Sequence, residues 1–238
     1  MYIKGAIFDM DGLMLDTEKL LLRFWCEAAN ELGYLMEPQH VLSIRSLAAK
    51  YAIPKLKGYF GEDFDYYKVR SRRLELMNAY IDENGIEKKR GIEELLVYLK
   101  EQRIETAVAT ATDLERTERY LKRVDLYKYF DKIVCASMVE NGKPAPDIYE
   151  KAADELKLSP EECIALEDSP NGILSAYRAG CFPVMIPDLD EPGQEIQAIL
   201  FAKKENLLEV IELLEQTEED EYKSYQNKHK VREETKKC

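Results

Sequence analysis

The sequence predicts an α/β protein: a doubly wound, Rossmann-like parallel sheet core with an inserted α-helical cap domain. Three observations carry this. Five short apolar runs, at 2–8, 105–110, 132–136, 163–167 and 182–186, are rich in Ile, Val, Ala or Phe. They are continuous rather than alternating, which suits parallel strands covered on both faces. Helical patterns separate the later runs, and strand–helix alternation gives a doubly wound parallel sheet. Nearly a hundred residues separate the first run from the second. One crossover needs only a dozen or more, so this interval holds an insertion.

The elements follow in order. After the first run, residues 17–86 show helical patterns and no clear strand. Leu20, Leu21, Phe24, Trp25, Ala28 and Leu32 keep a helical spacing, and Leu74, Met77, Tyr80 and Ile81 mark another helix. The two links to this insertion, near 15–17 and 84–91, are expected to act as a hinge. Ile92, Leu95, Leu96 and Leu99 fall at i, i+3, i+4, i+7. Asp113 is placed to cap a helix running to about Val124. Helices are expected at 147–157 and 172–179, with Gly180 stopping the second. The expected domains are therefore a core at 1–16 and 87–214, a helical cap at 17–86 and a charged tail at 215–238. In that tail 13 of 24 residues are charged and only Val231 is aliphatic. It reads as a solvated helix or frayed end, removable at little cost to folding.

Composition narrows the function. With 45% apolar residues the chain can bury a core without disulfides. No apolar run approaches the ~18 residues that span a bilayer. The first residues meet Asp9 too soon for a secretory signal, so a cytoplasmic protein is expected. A formal charge of −12 argues against nonspecific nucleic-acid binding and weakly against anionic membranes. The five cysteines, Cys26, Cys135, Cys163, Cys181 and Cys238, include no CxxC pair, and the only histidines are His40 and His229. A zinc site is not expected, the cysteines read as reduced thiols, and acid–base chemistry falls to carboxylates. A monomer or weak dimer is expected.

The chemistry collects at strand ends, where open α/β sheets bind ligands. Asp9 and Asp11 follow the first strand in Phe8-Asp9-Met10-Asp11-Gly12. Two adjacent carboxylates repel, and a hard divalent cation such as Mg2+ relieves the repulsion. The second strand ends in Thr110-Ala111-Thr112, a hydroxyl backed by the free amides of the next helix, as suits a phosphate. Lys143 lies between Gly142 and Pro144 in the loop after the third strand and offers a point charge. The fourth strand ends in a second acidic pair, Glu167-Asp168. Each signal alone is weak; their arrival at four successive strand ends is not.

At this point the chain resembles the haloacid dehalogenase superfamily, in the branch with a helical cap between the first two strands. The resemblance spans about 3–212. It rests on the stretch from Asp9 to Glu18, on Lys143-Pro144-Ala145-Pro146-Asp147 and on Leu166-Glu167-Asp168-Ser169, which are similar to β-phosphoglucomutases and sugar-phosphate phosphatases. It implies Asp9 as nucleophile, forming an aspartyl-phosphate, and Asp11 as general acid and base. It implies Mg2+ held by the Asp9 side chain, the Asp11 carbonyl and Asp168, with Glu167 in or near that shell. Thr110, Ala111 and Lys143 would hold the phosphoryl oxygens of a small phosphorylated metabolite. True dehalogenases lack the acid at the Asp11 position. Mutases of the group carry a histidine in the helix just after Asp-Thr, where this chain has Lys19-Leu20-Leu21-Leu22-Arg23. The resemblance therefore implies a phosphatase, with a β-phosphoglucomutase-type mutase as alternative. A receiver-like phosphate switch fits less well, because it carries no such insertion and no counterpart of Asp11. In the cap, 41–47 lacks the glycine usual in the family's cap loop. Arg45, Lys55 and Lys57 are candidates for a substrate's second anionic group; taken singly they read as solvated surface charges.

Overall fold

The computed structural model describes residues 2–217 and 219–236. Six parallel strands form one sheet: β1 (Gly5–Phe8), β2 (Glu105–Thr110), β3 (Lys132–Cys135), β4 (Cys163–Glu167), β5 (Phe182–Met185) and β6 (Ala202–Lys203). Their order is β3-β2-β1-β4-β5-β6. The chain thus winds outward from β1 in one direction and returns to wind from β4 in the other. The sequence predicts five of these strands. β6 is only two residues long, too short to show any periodicity; it forms because β5 offers a free edge, with Val184 opposite Ala202.

Both faces of the sheet are covered, as its apolar runs require. On one face Ala6, Phe8 and Val108 pack with α5 (Ile92–Glu101), α6 (Leu114–Arg123) and α10 (Leu208–Gln216). On the other, Ile7, Ala107 and Ala165 pack with α7 (Asp147–Glu155) and α8 (Pro170–Ala179). Asp113 caps α6, its side chain accepting from the Arg116 amide, and Gly180 ends α8 at φ 89°. A short α9 (Gln194–Gln197) precedes β6.

Residues 17–86 hold α1 (Glu18–Glu31), α2 (Pro38–Leu42), α3 (Ala49–Phe60) and α4 (Tyr66–Asn84). Trp25, Ala28, Leu56 and Val69 form an apolar cluster of their own. Leu20, Phe24, Met77 and Ile81 instead join the core cluster, because the near ends of α1 and α4 stand on the sheet domain. The two links run side by side. Leu15 bridges Lys88 antiparallel, the Asp16 amide donates to Glu87 at 2.9 Å and the Lys89 amide donates to Met14 at 2.9 Å.

The tail departs from expectation. Glu219–Lys236 is a helix, α11, and it packs. Tyr222 is 2% exposed in the core cluster, stacking on Tyr2 and Phe201 with ring centroids at 5.3 and 4.9 Å. The Tyr225 hydroxyl donates to the Ile199 carbonyl. Two tyrosines, not aliphatic residues, carry the apolar area that this charged helix needs to dock. Cys26, Cys135, Cys163 and Cys181 are free thiols, and Cys238 lies outside the described residues.

Candidate active site

The site forms where the winding reverses, between β1 and β4. Phe8 pairs with Val108 on one side and Leu166 on the other, so Asp9, Thr110 and Glu167 leave the sheet at one edge. Asp9 is buried, and its Oδ1 accepts from Lys143 Nζ at 2.5 Å. Lys143 also donates to Glu167 Oε1 at 2.6 Å, and the Tyr149 hydroxyl donates to the same oxygen at 2.7 Å. Glu167 Oε2 accepts from the Ser169 hydroxyl at 3.2 Å and the Asp168 amide at 3.2 Å. Both Glu167 oxygens are therefore taken by protein donors, and the effect is to fix Lys143 beside Asp9. Gly172 makes this possible, since a Cβ there would overlap the Glu167 carboxylate.

Asp11 is held differently. Its Oδ1 accepts from the Thr17 hydroxyl at 2.6 Å and its Oδ2 from the Thr112 hydroxyl at 2.7 Å. Arg116 in turn donates to the Thr112 hydroxyl at 3.0 Å. Gly12 turns the chain at φ 87°, and a Cβ on it would overlap Asp168 and Glu18. The Thr110 hydroxyl accepts from the Thr112 amide at 3.1 Å, which shapes the loop after β2.

Burial drives the electrostatics. It pushes Asp9 well above the usual carboxylate range, against the pull of Lys143. It does the same to Asp168 against Arg45, and it pushes Glu18 to about 8. Burial opposes the charge on Lys143, yet Asp9 and Glu167 outweigh it and hold that lysine above its ordinary value. Three carboxylates, Asp9, Glu167 and Asp168, bring oxygens within 4.8 Å of one another. Asp168 Oδ1 is buried without a hydrogen-bond partner. Hard oxygen donors, one of them orphaned, fit a divalent cation.

A cap residue reaches this cluster. Arg45 is 5% exposed, not a solvated surface charge. It pairs with Asp168, donates to Asp190 at 2.8 Å and lies 3.3 Å from Glu18. Nearby, the Ala48 amide donates to the Lys143 carbonyl at 3.1 Å and Asn171 donates to the Arg45 carbonyl at 2.9 Å. The cap thus sits down on the strand ends. Lys55 and Lys57 do not follow Arg45. Lys55 donates to the Ser43 carbonyl at 2.7 Å and Lys57 pairs with Glu62 at 3.1 Å, both away from the site. Neither lines the cavity between cap and core.

Between cap and core lies a cavity of about 110 Å³. Asp9, Asp11, Thr110, Ala111 and Thr112 line it from the core, and Arg45, Arg70, Arg73 and Trp25 from the cap. Tyr149, Arg73 and Arg116 are not among the candidates the sequence offers, and Thr17 and Thr112 are not among its site candidates. One signal was present: Arg73 occupies the buried register of α4 with Val69, Met77 and Ile81. A charge at that spacing faces inward.

Comparison with known proteins identifies the family. The profile of haloacid dehalogenase-like hydrolases matches residues 6–186. The phosphorylated carbohydrates phosphatase of Thermotoga maritima is 29% identical over 88% of this chain and 98% of its own length. Hexitol phosphatase A of Escherichia coli is 31% identical, covering 78% of this chain and 84% of its own. The crystal structure of CbbY from Rhodobacter sphaeroides in complex with phosphate superposes with a TM-score of 0.74 at 28% identity, over 87% of this chain and 96% of that one. The chain belongs to the haloacid dehalogenase-like hydrolases.

Proposed function

We propose that this protein is a Mg2+-dependent phosphatase of a small phosphorylated metabolite, a sugar phosphate, working through an aspartyl-phosphate on Asp9. The observation that carries the reading is the division of labour between two aspartates on one loop. Asp9 faces a lysine, as a nucleophile beside a phosphoryl group needs; Asp11 is aimed by two hydroxyls, as a proton carrier needs. Relatives named for phosphorylated carbohydrates, hexitol and fructose-1-phosphate support the substrate class.

In the proposed reaction an Asp9 oxygen attacks phosphorus and the bond to the leaving oxygen breaks. Asp11 gives that oxygen its proton and the alcohol departs. Asp11 then takes a proton from water as that water attacks the aspartyl-phosphate, releasing phosphate and restoring Asp9. Lys143 holds phosphoryl oxygens, with Thr110 and the Ala111 amide beside it. Asp9 and Asp168, with the Asp11 carbonyl, would hold Mg2+, and Glu167 keeps Lys143 in place. Bound there, the cation would keep Asp9 ionised despite its burial and neutralise charge spread over the phosphoryl oxygens. Nothing in the cavity favours the mutase alternative: α1 lines it with Glu18, Leu21, Leu22 and Trp25.

A panel of phosphorylated sugars with Mg2+, read for free phosphate and for isomers, tests this. Phosphate release without isomerisation is expected, and Asp9→Asn should lower it by about three orders of magnitude or more. Isomer without phosphate would turn the reading to the mutase, and full turnover by Asp9→Asn would remove the nucleophile.

A further inference from the structure

We propose that Arg70, Arg73 and Arg116 form a seat for a second oxyanion, so that the substrate is a phosphate ester carrying another phosphate or a carboxylate. This rests on the phosphatase reading and names its substrate class. All three arginines line the cavity that Asp9 and Asp11 line. Two come from the cap helix α4 and one from the core helix α6, so the seat is complete only when cap and core meet.

The guanidinium groups are under-partnered. Arg73 is 3% exposed, and no carboxylate among the described residues pairs with it. Its Nε is buried without a hydrogen-bond partner, as are Nε and Nη1 of Arg116, which is 9% exposed. Asp113 lies 3.6 Å from Arg116 and 3.9 Å from Arg70, but its side chain is 45% exposed and its Oδ1 is engaged by the Arg116 amide. Asp11 lines the same cavity and attracts Arg73, but its two oxygens are taken by the Thr17 and Thr112 hydroxyls, so the buried Nε of Arg73 and the Nε and Nη1 of Arg116 are left without acceptors. Burial lowers the Arg73 pKa to about 9, with Arg116 and Arg70 pushing the same way. The group stays charged at neutral pH and bears the strain of like charge. The face of Trp25, 5.2 Å from the Arg73 guanidinium, holds it in place.

Buried donors left unmade cost free energy, and a fork of guanidinium groups matches the paired oxygens of phosphate or carboxylate. An acidic protein of net charge −12 has many carboxylates with which to neutralise a stray arginine cluster. Here it leaves three facing a cavity. The acceptors missing from their buried donors are supplied by the ligand.

The test uses the full chain and linear alkyl phosphates ending in a methyl group, a carboxylate or a second phosphate. Their flexibility removes any dependence on sugar stereochemistry. Affinity is measured by calorimetry without divalent ions, and kcat and KM by phosphate release with Mg2+. The parent should bind an anionic-tailed ester about tenfold or more tighter than the methyl-tailed one. Arg73→Gln and Arg116→Gln should shrink that gap, chiefly through KM, and Arg73→Lys should restore part of it. Preference for the bisphosphate assigns a second phosphate; preference for the carboxylate assigns an acid. Equal binding of all three esters by the parent overturns the proposal, as does an undiminished gap in both glutamine variants. Thermal melting reports folding; if Arg73→Gln fails to fold, Arg73→Lys and Arg116→Gln carry the test. A calorimetric gap with no phosphate release from any ester would sink the phosphatase reading and leave the seat standing.

Discussion

Lys143 is the residue on which the site's charge balance turns. It is 1% exposed and touches two carboxylates. Lys143→Met keeps the volume but removes the cation, leaving Asp9 and Glu167 buried and unopposed. Removing one partner of a buried pair costs about 3–5 kcal/mol, so chemical denaturation should show a loss of that order along with lost activity. Asp11→Asn should act chiefly on chemistry. Its amide keeps an acceptor for only one of the two hydroxyl partners, and the proton for the leaving oxygen is gone, so alkyl phosphates should slow by about 10²–10⁴-fold. An aryl phosphate, whose leaving group needs no proton, should slow much less in the same assay. Both residues could be singled out from the sequence by the run of polar groups after four successive strands, and the resemblance implied their roles. Arg45 was legible as a candidate but not as a buried one. Its partners Asp168, Asp190 and Glu18 lie far away in the chain, and no local pattern reports such a meeting.

At the scale of elements, α11 is where local pattern and tertiary structure part. Its charges repeat without an apolar stripe, yet Tyr222 plugs into aromatic rings from β5, from the loop before β6 and from Tyr2. Tyr222→Ala should cost about 3 kcal/mol, or roughly 6–12 °C in melting temperature. Deleting 219–236 should cost at least as much, because Phe182 and Phe201 would be uncovered. Differential scanning calorimetry reads both, and an unchanged melting temperature in the truncated chain would show that the packing is worth nothing in solution. The central strands were legible because burial on both faces makes them continuous apolar runs. The same helix patterns located α5 to α8 within a few residues. β6 left no mark in the sequence because its pairing with β5 alone defines it.

For the whole molecule, the cluster of Asp9, Glu167 and Asp168 links the cation to folding. A ligand bound only by the native state stabilises it by about 2.7 kcal/mol at a hundredfold excess over its dissociation constant. Mg2+ should therefore raise the melting temperature, a chelator should reverse the rise and abolish phosphate release, and Asp168→Asn should blunt the thermal response. The arrangement of the two links adds a constraint on how the cavity is reached. Single tethers would let the cap tumble in any direction. Here the segments at 14–16 and 87–89 are laced by antiparallel hydrogen bonds into one narrow ribbon. Opening the cap about that ribbon is expected to part Arg45 from Asp168 and the Ala48 amide from the Lys143 carbonyl, so a substrate's way in is expected to run through the loss of both contacts.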